Sequence, residues 1–191
     1  MYRAVTWAAL DKGIDIPDEA GVTALAQRLS IDVRPPTIDD GRQYTVLADG
    51  QDITWSIRED AVEAGVSQVS AYRGVRRALV SQQRRVSDQG RVVMVGRDIG
   101  TIVLPNAKLK IFLNASIDER AKRRYRELIA RGQQPNYEDL VVAMRRRDEI
   151  DSKRKVSPLM PAADAVIVDT SHLTIDQVLD AIQDLANQRV S

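Results

Sequence analysis

Residues 91–101 read RVVMVGRDIGT, an apolar run that passes directly into a glycine-flanked Arg-Asp pair. Three of the four apolar residues are β-branched, which is typical of a buried parallel strand. The pattern therefore predicts a core strand over 91–95, followed by a loop at the carboxyl edge of the sheet, where ligands bind in open α/β folds. There Arg97 and Asp98 would present a phosphate-type donor and a carboxylate acceptor.

Two more apolar segments, 109–113 and 165–169, predict buried strands of the same sheet. Helical patterns separate these strands, and alternation of this kind indicates an α/β protein with a parallel sheet. Two of the helices begin with predicted capping boxes, Ser116 with Glu119 and Thr174 with Gln177, in which each side chain bonds the other residue's amide.

Residues 31–58 have a different character, because short alternating segments are separated by Pro-Pro and Asp-Gly turn signals. They predict short antiparallel strands with hairpin turns, in a small subdomain beside the main sheet. The flanking segments, 1–12 and 59–89, are predicted to be helical, the second with a break at residues 72–74.

Composition excludes several classes of protein. Lys and Arg number 28 against 27 Asp and Glu, so the net charge gives no reason to expect bulk binding to nucleic acid or anionic membranes. The absence of Cys and the single His exclude thiolate sites and His-rich metal clusters. No apolar run reaches 18 residues, and the N-terminus has no signal-peptide pattern, so we expect a cytoplasmic protein.

Arginine is concentrated at 120–131 and 145–154, on two helices predicted to form a hairpin over the crevice. A guanidinium binds phosphate with parallel donors and stays charged at any working pH, which suits phosphoryl transfer. For Arg123, Arg126 and Arg145 we favour solvated, salt-bridged helix faces instead. Helical spacing alone also favours surface positions for Ser67 and Arg76.

The ordered set of motifs resembles the bacterial cytidylate kinase family, whose members have the P-loop fold. The similarity covers essentially the whole chain. It rests on residues 1–4, 66–71 with 75–76, 96–105, 110–116 with 119–121, 147–154 and 158–165.

The resemblance implies a three-layer, P-loop NTPase-like parallel sheet with an inserted α+β subdomain that binds the nucleoside monophosphate, and a helical lid. Within a single domain over 1–191, the insert would span 31–89, the lid 117–157, and the core 91–116 and 158–191.

The resemblance also implies the reaction, in which the γ-phosphoryl group of ATP passes to CMP or dCMP with Mg²⁺. Ser67, Arg76 and Asp98 would contact the base, since a hydroxyl, a guanidinium and a carboxylate complement the edge of cytosine. Arg3 and Arg97 would bind the acceptor phosphate. Arg147, Asp151 and Arg154 would contact the sugar and phosphate. Arg120 and Arg124 would be lid arginines that act in catalysis together with Arg97.

One motif of the family is absent: none of the 10 glycines precedes a lysine, so there is no Walker A loop and no metal ligand is assigned. We therefore expect a sequence truncated at its N-terminus, starting at a downstream Met of a longer gene. One alternative is a catalytically inert CMP-binding relative. The other is an RNA-binding protein, and the 4% aromatic content disfavours RNA binding because few side chains could stack on bases. We expect a monomer whose only partners are nucleotides.

Overall fold

The computed structural model describes residues 1–88, 90, 92–153 and 157–190. Of residue 190, only the backbone is described. The chain divides into two compact units, Met1–Val93 and Met94–Ser191. The predicted insert lies within the first unit and the predicted lid within the second. The assignment of these segments to insert, lid and core remains a prediction.

The first unit contains four helices and three strands. In chain order these are α1 (Tyr2–Asp11), α2 (Glu19–Arg28), β1 (Ile31–Arg34), β2 (Thr45–Ala48), β3 (Gln51–Asp52), α3 (Asp60–Val69) and α4 (Arg73–Ser87), with a 3₁₀ turn at Ser56–Arg58 before α3. The predicted break between two helices is confirmed, but it lies at residues 70–72 and not at 72–74, because α3 ends at Val69 and α4 begins at Arg73.

The three strands form one antiparallel sheet in the order β1-β2-β3, as the sequence predicts. Ile31 lies opposite Ala48 and Arg34 opposite Thr45, while Ala48 pairs with Gln51. Asp49 and Gly50 form the turn between β2 and β3, with φ of 48° and 86°. A two-residue hairpin needs these left-handed conformations, which Gly and Asp adopt readily.

An apolar core holds the first unit together. Buried residues of all four helices and of β1 and β2 form one cluster, which includes Val5, Val22, Val46, Val69 and Leu79. At roughly 1.5–3 kcal/mol for each large side chain removed from water, this core is the main stabilising element of residues 1–93.

The second unit contains β4 (Ile111–Asn114), α5 (Ile117–Ala130), α6 (Tyr137–Lys153), β5 (Val166–Asp169) and α7 (Ile175–Val190). Strands β4 and β5 are parallel, with Ile111 opposite Val166 and Asn114 opposite Asp169. The mixed helices and strands with a parallel sheet confirm the predicted α/β class at this coarse level. Helices α5 and α6 lie between the two strands in sequence and pack against each other.

One of the two predicted capping boxes is complete. Thr174 and Gln177 exchange bonds at the start of α7, with side chain to amide distances of 3.2 and 2.9 Å. At α5, the Ser116 hydroxyl accepts from the Glu119 amide at 3.2 Å, but Glu119 does not reach back. Its carboxylate instead accepts from Arg123 Nε at 3.0 Å, and the Ser116 amide donates to Ser171 Oγ. A charged donor one turn along the helix therefore outcompetes the backbone amide for Glu119.

The prediction of a core strand over 91–95 is wrong for its described part, residues 92–95. These residues join no sheet within the described ranges, and Val93 and Val95 are 95% and 90% exposed. Their composition is that of a strand, but a strand exists only where a neighbour completes its hydrogen-bond ladder. Strands β4 and β5 are also less buried than predicted, since Leu113 and Ile167 are largely exposed.

Candidate functional site in two units

In the first unit, Arg3 extends from α1 towards α3. Its guanidinium forms an ion pair with Glu63 of α3, and its Nη1 donates to the Ile57 carbonyl at 3.0 Å. Gly65 lets the two helices approach closely, because a Cβ at that position would lie 3.0 Å from Thr6 Cγ2 of α1. The close packing of α1 against α3 therefore brings Arg3 and Glu63 into contact.

Arg76, on α4, is buried, so the surface position favoured by helical spacing is wrong for this residue. Its Nη1 donates to the Ser70 carbonyl at the end of α3 at 2.8 Å. Its guanidinium also lies over the ring of Tyr2, 5.2 Å from the centroid, which is cation–π geometry. Ser67 is partly buried on α3, and its carbonyl accepts from Ser70 Oγ at 2.9 Å.

The three first-unit residues predicted to bind substrate are related through their neighbours, because Arg3 contacts Glu63 of α3, and Ser67 and Arg76 both contact Ser70. We call the set the acceptor cluster: Tyr2, Arg3, Glu63, Ser67, Ser70 and Arg76. Tyr2 and Arg3 are neighbours on α1, while Glu63 and Ser67 lie one helical turn apart on α3. Neither Tyr2 nor Glu63 is among the residues that the sequence predicts to bind substrate. For Tyr2, adjacency to Arg3 was a usable signal, whereas Glu63 resembles any exposed helix carboxylate until α1 is packed against it.

In the second unit, the Gly-Arg-Asp segment leads into a single π-helical turn, Ile99–Val103. The Asp98 carbonyl accepts from the amides of Ile102 and Val103 at 2.9 and 3.2 Å. Asp98 itself is buried. Turns of this wide kind occur often at functional sites, because they present side chains in directions that a regular helix does not offer.

Arg97 forms an ion pair with Asp151 of α6, whose side chain is only 2% exposed. The Asp151 carbonyl also accepts from the Leu159 amide at 2.8 Å, which ties the segment after α6 back to the helix. Arg147 of α6 is partly buried, and Arg154 lies outside the described residues. A carboxylate this deeply buried is stable as an ion only when it is paired.

The two predicted lid arginines on α5 have different surroundings. Arg120 binds both carboxylate oxygens of Asp148 on α6, at 3.1 and 2.5 Å, and its Nε donates to the Ala115 carbonyl at 3.2 Å. Arg124 pairs with Glu127 on its own helix, at 2.9 Å. The favoured salt-bridged role is confirmed for Arg123 and Arg126, since both pair with Glu119.

A cleft of about 450 Å³ lies within the second unit. Gly96, Arg97, Arg120, Asp148, Phe112 and Met160 are among the residues that line it. Its volume is in the range of small-molecule sites, and its wall combines apolar surface with charged groups, as such sites do. The cleft brings Arg97 and Arg120 together, while Asp98, Arg124, Arg147 and Asp151 are not part of its lining.

Lys110 lines the same cleft and joins the starts of the two strands. Its ammonium lies 2.8 Å from both carboxylate oxygens of Asp164, and it also donates to the Pro105 carbonyl. The hydrogen bond from Lys110 lowers the pKa of Asp164, so this carboxylate stays ionised under mildly acidic conditions.

Neither a metal site nor a membrane span is found in the part of the chain that the structure describes. No three His, Cys, Asp or Glu side chains there are grouped so that they could hold a metal ion. Among the same residues, no helix is both long and apolar enough to cross a bilayer.

Comparison with known proteins identifies the family. The sequence profile of the cytidylate kinases matches residues 1–188. The cytidylate kinase of Bacillus licheniformis is 47% identical over 189 residues, which are 99% of this chain and 82% of that protein. The cytidylate kinase of Chloroflexus aggregans is 52% identical over 174 residues, 91% of this chain and 74% of that protein. The Bacillus subtilis cytidylate kinase is 46% identical over 189 residues, 99% of this chain and 83% of that protein.

These matches identify the protein as a nucleotide-binding kinase, an enzyme class that transfers phosphoryl groups. The chain belongs to the cytidylate kinase family.

Proposed function

We propose that this chain binds CMP or dCMP and serves as the acceptor side of phosphoryl transfer from ATP, giving CDP or dCDP. The relatives' name supports cytidylate as the acceptor. The observation that carries the proposal is the acceptor cluster, in which Arg3 contacts Glu63 of α3, while Ser67 and Arg76 both contact Ser70, although up to 73 positions separate Arg3, Ser67 and Arg76 in the sequence.

In this proposal, base recognition and phosphate binding fall to different groups. Ser67, Arg76 and Asp98 contact the base, and the carboxylate of Asp98 accepts from the exocyclic amine that distinguishes cytosine from uracil. Arg76 is suited to this role because the Ser70 carbonyl and the Tyr2 ring fix its guanidinium before the ligand arrives. Arg3 and Arg97 bind the acceptor phosphate.

The sugar and the transferring phosphoryl group are assigned to α5, α6 and the segment that follows. Asp151, with Arg147 and Arg154, contacts the ribose and phosphate, while Arg120 and Arg124 act as lid arginines. Of the lid pair, Arg120 has the stronger structural support, because it lines the cleft and is held by Asp148 and Ala115. Fixed positive charge at this point stabilises charge that develops on the transferred group.

The donor side is not explained by the described residues. Mg²⁺, when bound with ATP, neutralises charge on the donor phosphates, but no cluster of described carboxylates fits it. The 191 residues also contain no Gly-rich sequence ending in Lys-Ser or Lys-Thr. We therefore propose that this chain alone binds CMP as a monomer and transfers phosphate far more slowly than a cytidylate kinase with that loop.

The first experiment measures the binding of CMP and of cytidine by calorimetry. We expect CMP to bind more tightly, and Arg97→Ala to lower CMP affinity at least about tenfold while leaving cytidine affinity unchanged, because a charge-assisted phosphate contact is lost. Arg145→Ala, an exposed arginine on α6, is the matched control and should change neither affinity. Equal affinity of the unaltered chain for CMP and cytidine would contradict the proposed function.

A phosphotransfer assay with ATP and CMP, run beside the B. subtilis relative, separates the two candidate activities. Turnover below about 1% of the relative's rate, together with CMP binding, is expected when the donor loop is lacking, since that loop positions the donor phosphates. Turnover equal to the relative's would show that other residues hold ATP, and would overturn our account of the donor side.

A further inference from the structure

Glu63 contacts Arg3, which is predicted to bind the acceptor phosphate, but Glu63 itself has no role in the proposed reaction. Its carboxylate pairs with one terminal nitrogen of Arg3, while the other terminal nitrogen donates to the Ile57 carbonyl. In the ligand-free chain, both terminal nitrogens of Arg3 are therefore in contact with acceptor oxygens. A phosphate that binds Arg3 must share these donors with Glu63 or displace it.

The Arg3–Glu63 pair is open to exchange. The Arg3 and Glu63 side chains are 31% and 36% exposed, so a ligand can reach both groups. An ion pair with this exposure contributes little stability. A phosphate dianion, by contrast, offers a guanidinium more charge and several acceptor oxygens. Exchange of the carboxylate for a phosphate is therefore favourable, although the displaced carboxylate remains nearby and repels the dianion.

We propose that Glu63 is the exchangeable counter-ion of Arg3 and sets how strongly the site prefers CMP over cytidine. This inference rests on the proposed role of Arg3 in binding the acceptor phosphate. In the empty site, Glu63 neutralises Arg3; when CMP binds, the phosphate replaces the carboxylate. Glu63 thus lowers the affinity for the phosphate and is a specificity-determining residue rather than a catalytic one.

Glu63 also has a suitable position for such a role. It lies on α3 one turn before Ser67, the hydroxyl assigned to the base, and residues four apart on a helix share a face. The Arg3–Glu63 pair therefore connects the proposed phosphate-binding arginine on α1 with α3, the helix that carries Ser67. The carboxylate acts at the phosphate end only, so replacing it should leave recognition of the nucleoside unchanged.

The test compares CMP and cytidine binding to the full chain and to Glu63→Gln. Glutamine keeps the shape of the side chain and removes its charge. We expect CMP affinity to rise about threefold to tenfold, the effect of removing one partly screened charge near a dianion, with cytidine affinity unchanged. Asp60→Asn, which removes an exposed charge from the same helix one turn earlier, is the matched control and should alter neither affinity.

Two further variants keep the proposal falsifiable. Glu63→Ser also removes the charge and should give the same gain, which guards against a folding defect specific to the glutamine. In an Arg3→Met background, Glu63→Gln should raise CMP affinity by less than it does in the unaltered chain, because the cation for which the carboxylate and the phosphate compete is gone and only their repulsion remains.

The outcomes separate this inference from the proposed function. A fall in CMP affinity in both charge-free variants would show that Glu63 orients Arg3 instead of competing for it, and would overturn the inference. No change in CMP affinity, or an equal gain for cytidine, would overturn it as well. In all three cases the unaltered chain still prefers CMP, so the proposed function stands; only a chain without that preference contradicts both.

Discussion

The two units of this chain are stabilised in different ways. In Met1–Val93, helices and sheet share an apolar core, and the charged residues lie mainly outside it. In Met94–Ser191, Val103 and Ala121 are the buried apolar residues among those described, whereas Asp98 and Asp151 are buried carboxylates. The first unit buries mainly apolar surface, beside the two charged side chains of Arg42 and Arg76, whereas charged and polar groups make up most of what the described part of the second unit buries.

This difference follows from the surfaces of the helices. Helix α4 presents buried Val75 and Leu79 along one side, whereas the buried positions of α5 and α6 are Ala121 and Asp151 respectively. The second unit is connected instead by polar contacts such as Arg97–Asp151, Lys110–Asp164 and Arg120–Asp148. Because polar side chains take these positions, less apolar surface is buried in the described part of the second unit.

Removing a leucine side chain from each unit and measuring the free energy of unfolding tests this contrast directly. Leu79→Ala, at a fully buried position of the first unit, should lower the free energy of unfolding by about 3 kcal/mol, because it leaves a cavity. Leu179→Ala, at a 57% exposed position of α7, should change it by less than about 0.5 kcal/mol. Urea denaturation of both variants measures the difference. Equal costs would mean that Leu179 is buried in solution, and would break the contrast.

A smaller effect is expected for the buried charge of the second unit. Asp151→Ala removes the buried partner of Arg97 and should cost about 2 kcal/mol, less than a fully buried pair because Arg97 is 35% exposed. Ser152→Ala, at the exposed neighbouring position, is the control. Hydrogen exchange read separately for residues 1–93 and 94–191 should show the loss in the second range only. A loss confined to the first range would refute this assignment.

The smallest effect concerns the polar network of the first unit. The buried guanidinium of Arg42 contacts Asp40 and Asp52, lowering the pKa of Asp52 to about 2 and that of Asp40 further. Carboxyl groups with a lowered pKa stabilise the fold above their unfolded pKa, near 3.9, and lose this contribution as the pH falls through the folded value. Arg42→Met should therefore lower the melting temperature by about 5 °C at pH 7, with the difference shrinking between about pH 4 and pH 2.

Arg34→Met provides the control for that series. Arg34 and Asp32 form an exposed pair on the same sheet, and such pairs contribute little. Its melting curve should match that of the unaltered chain at pH 7. If the Arg42→Met difference persisted unchanged down to pH 2, the network would act through packing alone and not through the two carboxylates.

Local features of this fold could be predicted from the sequence. The three antiparallel strands, the helix break that follows Val69 and the capping box at Thr174 each depend on residues close together in the chain. Their determinants are turn conformations, caps and alternation, all of which act over a few positions. The charge pairs of Arg123 and Arg126 with Glu119 belong to this class as well.

Features that depend on distant residues could not be predicted in the same way. The apolar run at 92–95 has the composition of a core strand, yet composition does not supply the neighbouring strand that makes one. Arg76 is buried because Tyr2, 74 positions earlier, lies against it, and no helical period reveals that contact. The contact of Glu63 with Arg3 cannot be predicted from the sequence for the same reason, since the two residues lie on different helices.

The exposed run at 92–95 has a practical consequence for anyone who handles this protein. The segment consists of three valines and a methionine, carries no charge, and has two valines that are almost fully exposed. A second molecule can therefore form backbone hydrogen bonds with this short apolar segment. Solubility of the purified chain is thus expected to be limited by this segment rather than by its near-zero net charge alone. Val93→Lys would place a charge within this segment and so oppose such pairing.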